Sequence, residues 1–535
     1  MKASIFLEGV NNDIQTLVTP LSLAAWGAQT TGETHWVDEL TAAEIKLNHF
    51  FSDRERFNQI KELLNGGYHL SEVERRQLTL LVNEMESKQL PKEVLEAKAK
   101  ASAELNHLYN TYNPEMDGKT YMPNDIRSIL SESKDEKERE NAWKASKQVG
   151  KVVSSKLLKL VRLRNESARF LGYSDYYEMA FKGQELDLDE IFSMFHQFLK
   201  DTDSVFREWK MELDEELAKK YGITISELKP WHYEDPFFQK APSTDQLDLN
   251  HLFKSQNVTD LTIKTFELLG MDIQDILEKS DLEPRKGKNP TAFCMNVNRE
   301  GDVRVLCNIA PSHYWMGTML HEFAHATYDK LVDTRLPYLL RTPSHILTTE
   351  AMAMMFGRMV ENPEWLEKVL KLDKAAIAHM KPALQKYQLF TSLISARFII
   401  TFVFFERELY KDPEQDLNQL WWELVEEIQH IKAPKERVIE PDWAAKIHFT
   451  LAPVYYQNYL LGEFMAYQIH DFIKEYISDE FFHGRVGHYL TQKVYRPGAL
   501  YSWNDLLMKL TGESLQYHSF IKEINLLPPQ KVNID

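Results

Sequence analysis

The pentapeptide His321-Glu322-Phe323-Ala324-His325 constrains this chain more than any other stretch, because it works only inside a helix. Two imidazoles four positions apart stack on one helical face, close enough to share one metal ion. The glutamate between them can then take a proton from a water held at that metal. With 18 histidines and 80 acidic residues among 535, chance yields roughly 0.1 such patterns, so the surroundings must carry the reading. Ser312 follows Pro311 as a helix cap, and Trp315, Met316, Met319, Leu320, Phe323 and Leu331 recur at helical spacing.

A second helix is expected to open at Thr342-Pro343 and to stop before Asn362-Pro363. Inside it, Glu350 is the only charge between Thr348 and Phe356. A carboxylate buried in such a run is costly unless it is paired or bound to metal. Two antiparallel helices would return Glu350 to the histidines, giving a His321, His325, Glu350 set with an open fourth position, as at a catalytic zinc.

Length and composition bound the rest. A chain of 535 residues exceeds one ordinary core, so two lobes are expected, roughly 1–235 and 236–535, within a single catalytic unit. Hydrophobic residues make up 43% and aromatic residues 12%, enough for large apolar cores. A net charge of −17 argues against nucleic acid as a partner. Only Cys294 and Cys307 occur, so no disulfide framework is expected. The first residues reach Glu8 too early for a secretory apolar segment, and no uninterrupted apolar run of ~18 residues points to a membrane span. Cytoplasmic residence follows as an expectation.

Lys/Glu/Leu-rich helical patterns cover about 38–108, 123–172 and 186–221. Lys229 to Pro236 reads as a connector. The one β signal is a hairpin, Thr291–Val297 and Val303–Ile309, around a turn containing Gly301. It either offers an edge to an extended peptide or simply covers the core. Farther on, His448 precedes Pro453, Tyr455, Tyr459 and Gly462. This segment suits donors to a developing oxyanion, and equally an aromatic helix start packed inside.

Taken together, these residues resemble the zinc peptidases related to angiotensin-converting enzyme, thimet oligopeptidase and oligoendopeptidase F. Leu23-Ala24-Ala25-Trp26, Thr30-Thr31-Gly32, Leu160 to Glu166 with Leu171-Gly172-Tyr173, and Arg496-Pro497-Gly498 through Gly512 are similar to segments of that group. The resemblance implies a mainly α fold, a large helical two-lobed body with a deep central cleft and a small β-sheet beside the zinc helix. It implies one Zn²⁺ per chain on His321, His325 and Glu350, with Glu322 as general base. His448, Tyr455 and Tyr459 would contact the transition state, and Ala292 and Phe293 would form the substrate-pairing edge. Lys446 with Tyr455 is similar to the pair that holds a substrate C-terminal carboxylate.

Departures from the family are visible too. Met354 stands where converting enzyme has an acidic residue, leaving Asp329, one turn beyond His325, as a candidate to orient a ligand histidine. Gln457 or a neighbour replaces an arginine tied to chloride activation, so chloride dependence is not expected. The expected activity is hydrolysis of short peptides, either by internal cuts or by release of C-terminal dipeptides. The alternative is a catalytically silent peptide-binding protein on the same scaffold.

Overall fold

The protein, seen in a computed structural model that describes residues 2–242 and 249–525, is built almost wholly of helices. Among the described residues there are 22 α-helices and two sheets of two strands each, so the class is mainly α.

The long early run is cut into separate helices by local chemistry. Thr34–Phe51 ends before Asp53, whose carboxylate accepts from the Arg56 N–H at 2.9 Å and starts Arg54–Asn65. Ser71 and Glu74 then form a reciprocal capping box that opens Glu72–Glu86. The first helix, Lys2–Thr31, stops at Gly32, which has φ +68° and lies so close to the Gly287 carbonyl that no side chain fits.

The chain divides into two units. The first comprises Met1–Gln89, Asp248–Leu384 and Leu461–Asp535. Part of its core joins Leu7, Val10 and Ile14 of the first helix to Phe50, Phe57, Ile60, Leu78, Leu81 and Met85. Each such fully buried side chain is worth about 1.5–3 kcal/mol of transfer free energy. The helix bearing the histidine pair, His313–Leu331, and the hairpin before it belong to this unit.

The second unit comprises Leu90–Leu247 and Gln385–Leu460. Its long helices include Glu136–Phe170 and Leu188–Tyr221, and its core is rich in aromatic rings, with Trp143 beside both Trp231 and Trp422. The segment read as a connector is no exposed linker. Pro230–Tyr233 is a buried 3₁₀ turn, because Trp231 and Tyr233 are large apolar groups that gain more inside than in water. Helix Lys374–Lys411 is apolar and long enough to cross a membrane, yet 72% of its most apolar window is buried in the protein.

Candidate metal centre and the His448 segment

The histidine helix starts where its cap predicts, with the Ser312 hydroxyl accepting from the Trp315 N–H at 3.2 Å. The Glu350 helix starts later than expected, at Ile346, because His345 caps it through Nδ1, which accepts from the Leu347 N–H. It also ends sooner, at Gly357, and passes through a 3₁₀ turn, Arg358–Glu361, before Asn362 caps a new helix.

Glycine lets the two helices cross closely. A Cβ on Gly317 would stand 3.3 Å from the Gly357 carbonyl oxygen, and one on Gly357 would stand 3.4 Å from the His321 Cβ. Gly462, from Gln457–Tyr476, supports the other side. Its missing Cβ would lie 3.2 Å from the Leu347 carbonyl oxygen and 3.3 Å from the Glu350 Cβ.

This packing brings the three expected ligands together. Glu350 Oε2 is 3.8 Å from His321 Nε2 and 4.0 Å from His325 Nε2. One ligand atom from each residue lies within 4.8 Å of the others. Ligands about 2.0–2.1 Å from a tetrahedral zinc would be roughly 3.4 Å apart, so the set fits such an ion with small adjustment. Burial pushes His321 down to about 4 and His325 down to about 3, which keeps both rings neutral, as metal ligands must be. Burial also raises Glu350 to about 7, and no lysine or arginine is paired with it among the described residues. A dication would supply a counter-charge to this carboxyl.

Both rings are oriented by the helix that supplies the third ligand. His325 Nδ1 is 2.6 Å from Thr349 Oγ1, and the His321 ring bonds the Ala353 carbonyl. Such outer partners fix the tautomer and leave Nε2 free for metal. Asp329 does not serve this role. It is turned toward Cys294 Sγ at 3.9 Å and toward Asn296 and Arg299, because one turn along the helix points it at the hairpin and not at the facing helix.

Glu322 is buried, and its carboxylate accepts from the Cys294 N–H. Burial first, and then the Glu350 charge, raises it to about 8. The hairpin that holds it is shorter than expected, Phe293–Asn296 paired antiparallel with Val303–Leu306. Its outer partner on the far side is Asp281, bonded to Val305 and Cys307. Backbone direction alternates along a strand, so Leu306 and Phe293 face each other, while Cys294 and Asn296 turn their main-chain groups outward. Among the described residues no third strand covers that edge. Ala292 lies just before this strand. Phe293 pairs with Leu306, and its ring packs against Trp26.

The remaining expected residues lie in the second unit. His448 is half-buried with Nδ1 unbonded; its ring stands 5.0 Å from that of Tyr456, and burial lowers its pKa to about 4. Tyr455 and Tyr459 make an edge-to-face pair with centroids 5.3 Å apart. Lys446 donates to Gln239 Oε1 and lies over the rings of Phe398 and Tyr456. Gln239 and Tyr456 are residues that sequence reasoning missed. Tyr456 stands openly in the Tyr-Tyr-Gln-Asn-Tyr run, while nothing local marks Gln239, 207 positions away from Lys446.

Comparison with protein families adds an independent finding. Residues 1–517 match the family model described as angiotensin-converting enzyme, peptidase family M2. The match spans nearly the whole chain and contains the histidine pair, Glu350 and the His448 segment. This chain therefore belongs to the angiotensin-converting enzyme family of zinc peptidases and is a peptide-bond hydrolase.

Proposed function

We propose that the protein cleaves short peptides with one Zn²⁺ per chain held by His321, His325 and Glu350. The observation that carries this reading is the convergence of those three ligand atoms within 4.8 Å, next to a buried Glu322. When bound, zinc acidifies water and polarises the scissile carbonyl. Glu322, whose raised pKa a dication beside it would pull back down, accepts a proton from the attacking water and delivers it to the departing amine. The Cys294 N–H that bonds its carboxylate keeps one oxygen in place. His448, Tyr455 and Tyr459 are the residues that the family resemblance assigns as donors to the developing oxyanion. The main chain at Ala292 and Phe293 aligns the peptide as an added strand.

Release of C-terminal dipeptides is the mode we favour over internal cuts. Lys446 with Gln239 presents a half-buried cation and an amide suited to a terminal carboxylate. Neutral amides at Gln457 and Gln184 support turnover that needs no chloride. Two unpaired thiols are compatible with the cytoplasm as its place of action.

A quenched-fluorescence peptide assay tests the reading. Activity is expected to disappear with a chelator and return with zinc, and Glu322→Gln is expected to keep the metal and lose turnover. A chain that binds peptide and zinc yet cleaves nothing would instead be the silent binding protein.

A further inference from the structure

Val454 has φ +56°, although it is β-branched and fully buried. A branched side chain in the left-handed region is a strained conformation that survives only where its surroundings dictate it. Here three side chains do so. Glu406, near the end of Lys374–Lys411, accepts from the Val454 N–H at 2.9 Å. Gln184 and Gln457 both donate to the Val454 carbonyl, each at 2.8 Å. Gln184 Oε1 in turn accepts from Asn458 at 2.7 Å.

The opposite end of the segment is held as well. Arg164 donates to the carbonyls of Phe449 and Thr450 at 2.7 and 2.8 Å, just after His448. The main chain between His448 and Tyr455 is thus held by buried polar groups at Phe449, Thr450 and Val454.

We propose that Glu406, with Gln184 and Gln457, is a positioning set that forces Val454 left-handed and so sets where Tyr455 and Tyr459 stand. The inference rests on the proposed function only in taking those tyrosines as substrate contacts. Burial raises Glu406 to about 8 against the lowering charge of Arg164, and a glutamine keeps the oxygen that accepts from the Val454 N–H.

The test uses the full chain with zinc. Glu406→Gln should stay within about threefold of the parent in kcat/KM, whereas Glu406→Leu should lose at least tenfold with zinc content unchanged. Adding Val454→Gly to Glu406→Leu should recover at least threefold, because glycine adopts positive φ without support. A merely destabilised core would not be helped by deleting another buried side chain. If Glu406→Leu does not yield folded protein, Gln184→Leu, with and without Val454→Gly, is read in the same way. No recovery by glycine, or an unchanged rate in the leucine variant, overturns the inference. If the parent cleaves no peptide, the proposed function fails, and φ at residue 454 in a crystal structure of Glu406→Leu decides this point alone: retention of positive φ overturns it.

Discussion

Thr349 Oγ1 and His325 Nδ1 are 2.6 Å apart, so the residue beside Glu350 orients the ring that Glu350 faces. One helix turn therefore carries a ligand and the group that aims a second ligand. Removing an outer partner of this kind typically weakens metal binding 10–100-fold. Thr349→Val keeps the shape and deletes the hydroxyl, and is expected to weaken zinc binding by about that factor. Thr349→Ser should stay near the parent. Competition with a chromogenic chelator measures both.

Gly462 predicts a second effect on the same centre. Its absent side chain leaves room for the Leu347 carbonyl, the Glu350 Cβ and the Ala351 nitrogen, all within 3.4 Å of where a Cβ would sit. Gly462→Val overpacks that contact, at a cost of about 1–3 kcal/mol. The expected result is a lower Tm together with a loss of zinc affinity, since the displaced atom belongs to a ligand. Calorimetry and zinc titration on one preparation check the pair; a lower Tm with full zinc affinity would place the strain elsewhere.

What could be read from residue order follows from how local each signal is. The histidine helix was legible because its cap, its apolar period and its spaced imidazoles all lie within 20 positions. The Glu350 helix was legible through one charge in an apolar run, although its start was misplaced because a histidine capped it. The Asp329 expectation failed since helical proximity does not tell which neighbouring element a side chain faces. Strand parity is a similar case: alternation is known from sequence, but which residues face outward depends on the partner strand. Gln239, Tyr456 and the hold of Glu406 on Val454 are set by contacts between distant segments, for which a single sequence has no signal.

His232 supplies a pH prediction independent of the metal. It is fully buried, and its Nδ1 accepts from the Lys229 N–H at 2.8 Å, a bond that needs a neutral lone pair. Burial, with the nearby Arg139 charge, lowers its pKa from 6.5 to about 4. Between those values the unfolded chain takes up a proton that the folded chain refuses, so stability falls as pH drops through the window. The slope attributable to this residue is at most about 1.4 kcal/mol per pH unit. In His232→Asn, which keeps a short acceptor and cannot titrate, the loss of Tm between pH 6.5 and 4 should be smaller than in the parent. Equal slopes would mean that other groups govern acid unfolding.

Lys446 distinguishes the two modes of cleavage. Its ammonium is bound to Gln239 and ringed by Phe237, Phe398 and Tyr456, and burial lowers its pKa to about 8. A cation held in such a partly dry setting gains more from a carboxylate than one in open water does. A charge-assisted hydrogen bond there is worth about 1.5–3 kcal/mol, or roughly 10–100-fold in binding. Lys446→Met should therefore raise KM by about that factor for peptides with a free C-terminus. Peptides with an amidated C-terminus, already poor substrates of the parent, should be nearly unaffected. Kinetics on one free and amidated pair, with products identified by mass spectrometry, decide the matter. Equal losses on both peptides, or internal cuts from both, would remove Lys446 from carboxylate recognition and favour an endopeptidase.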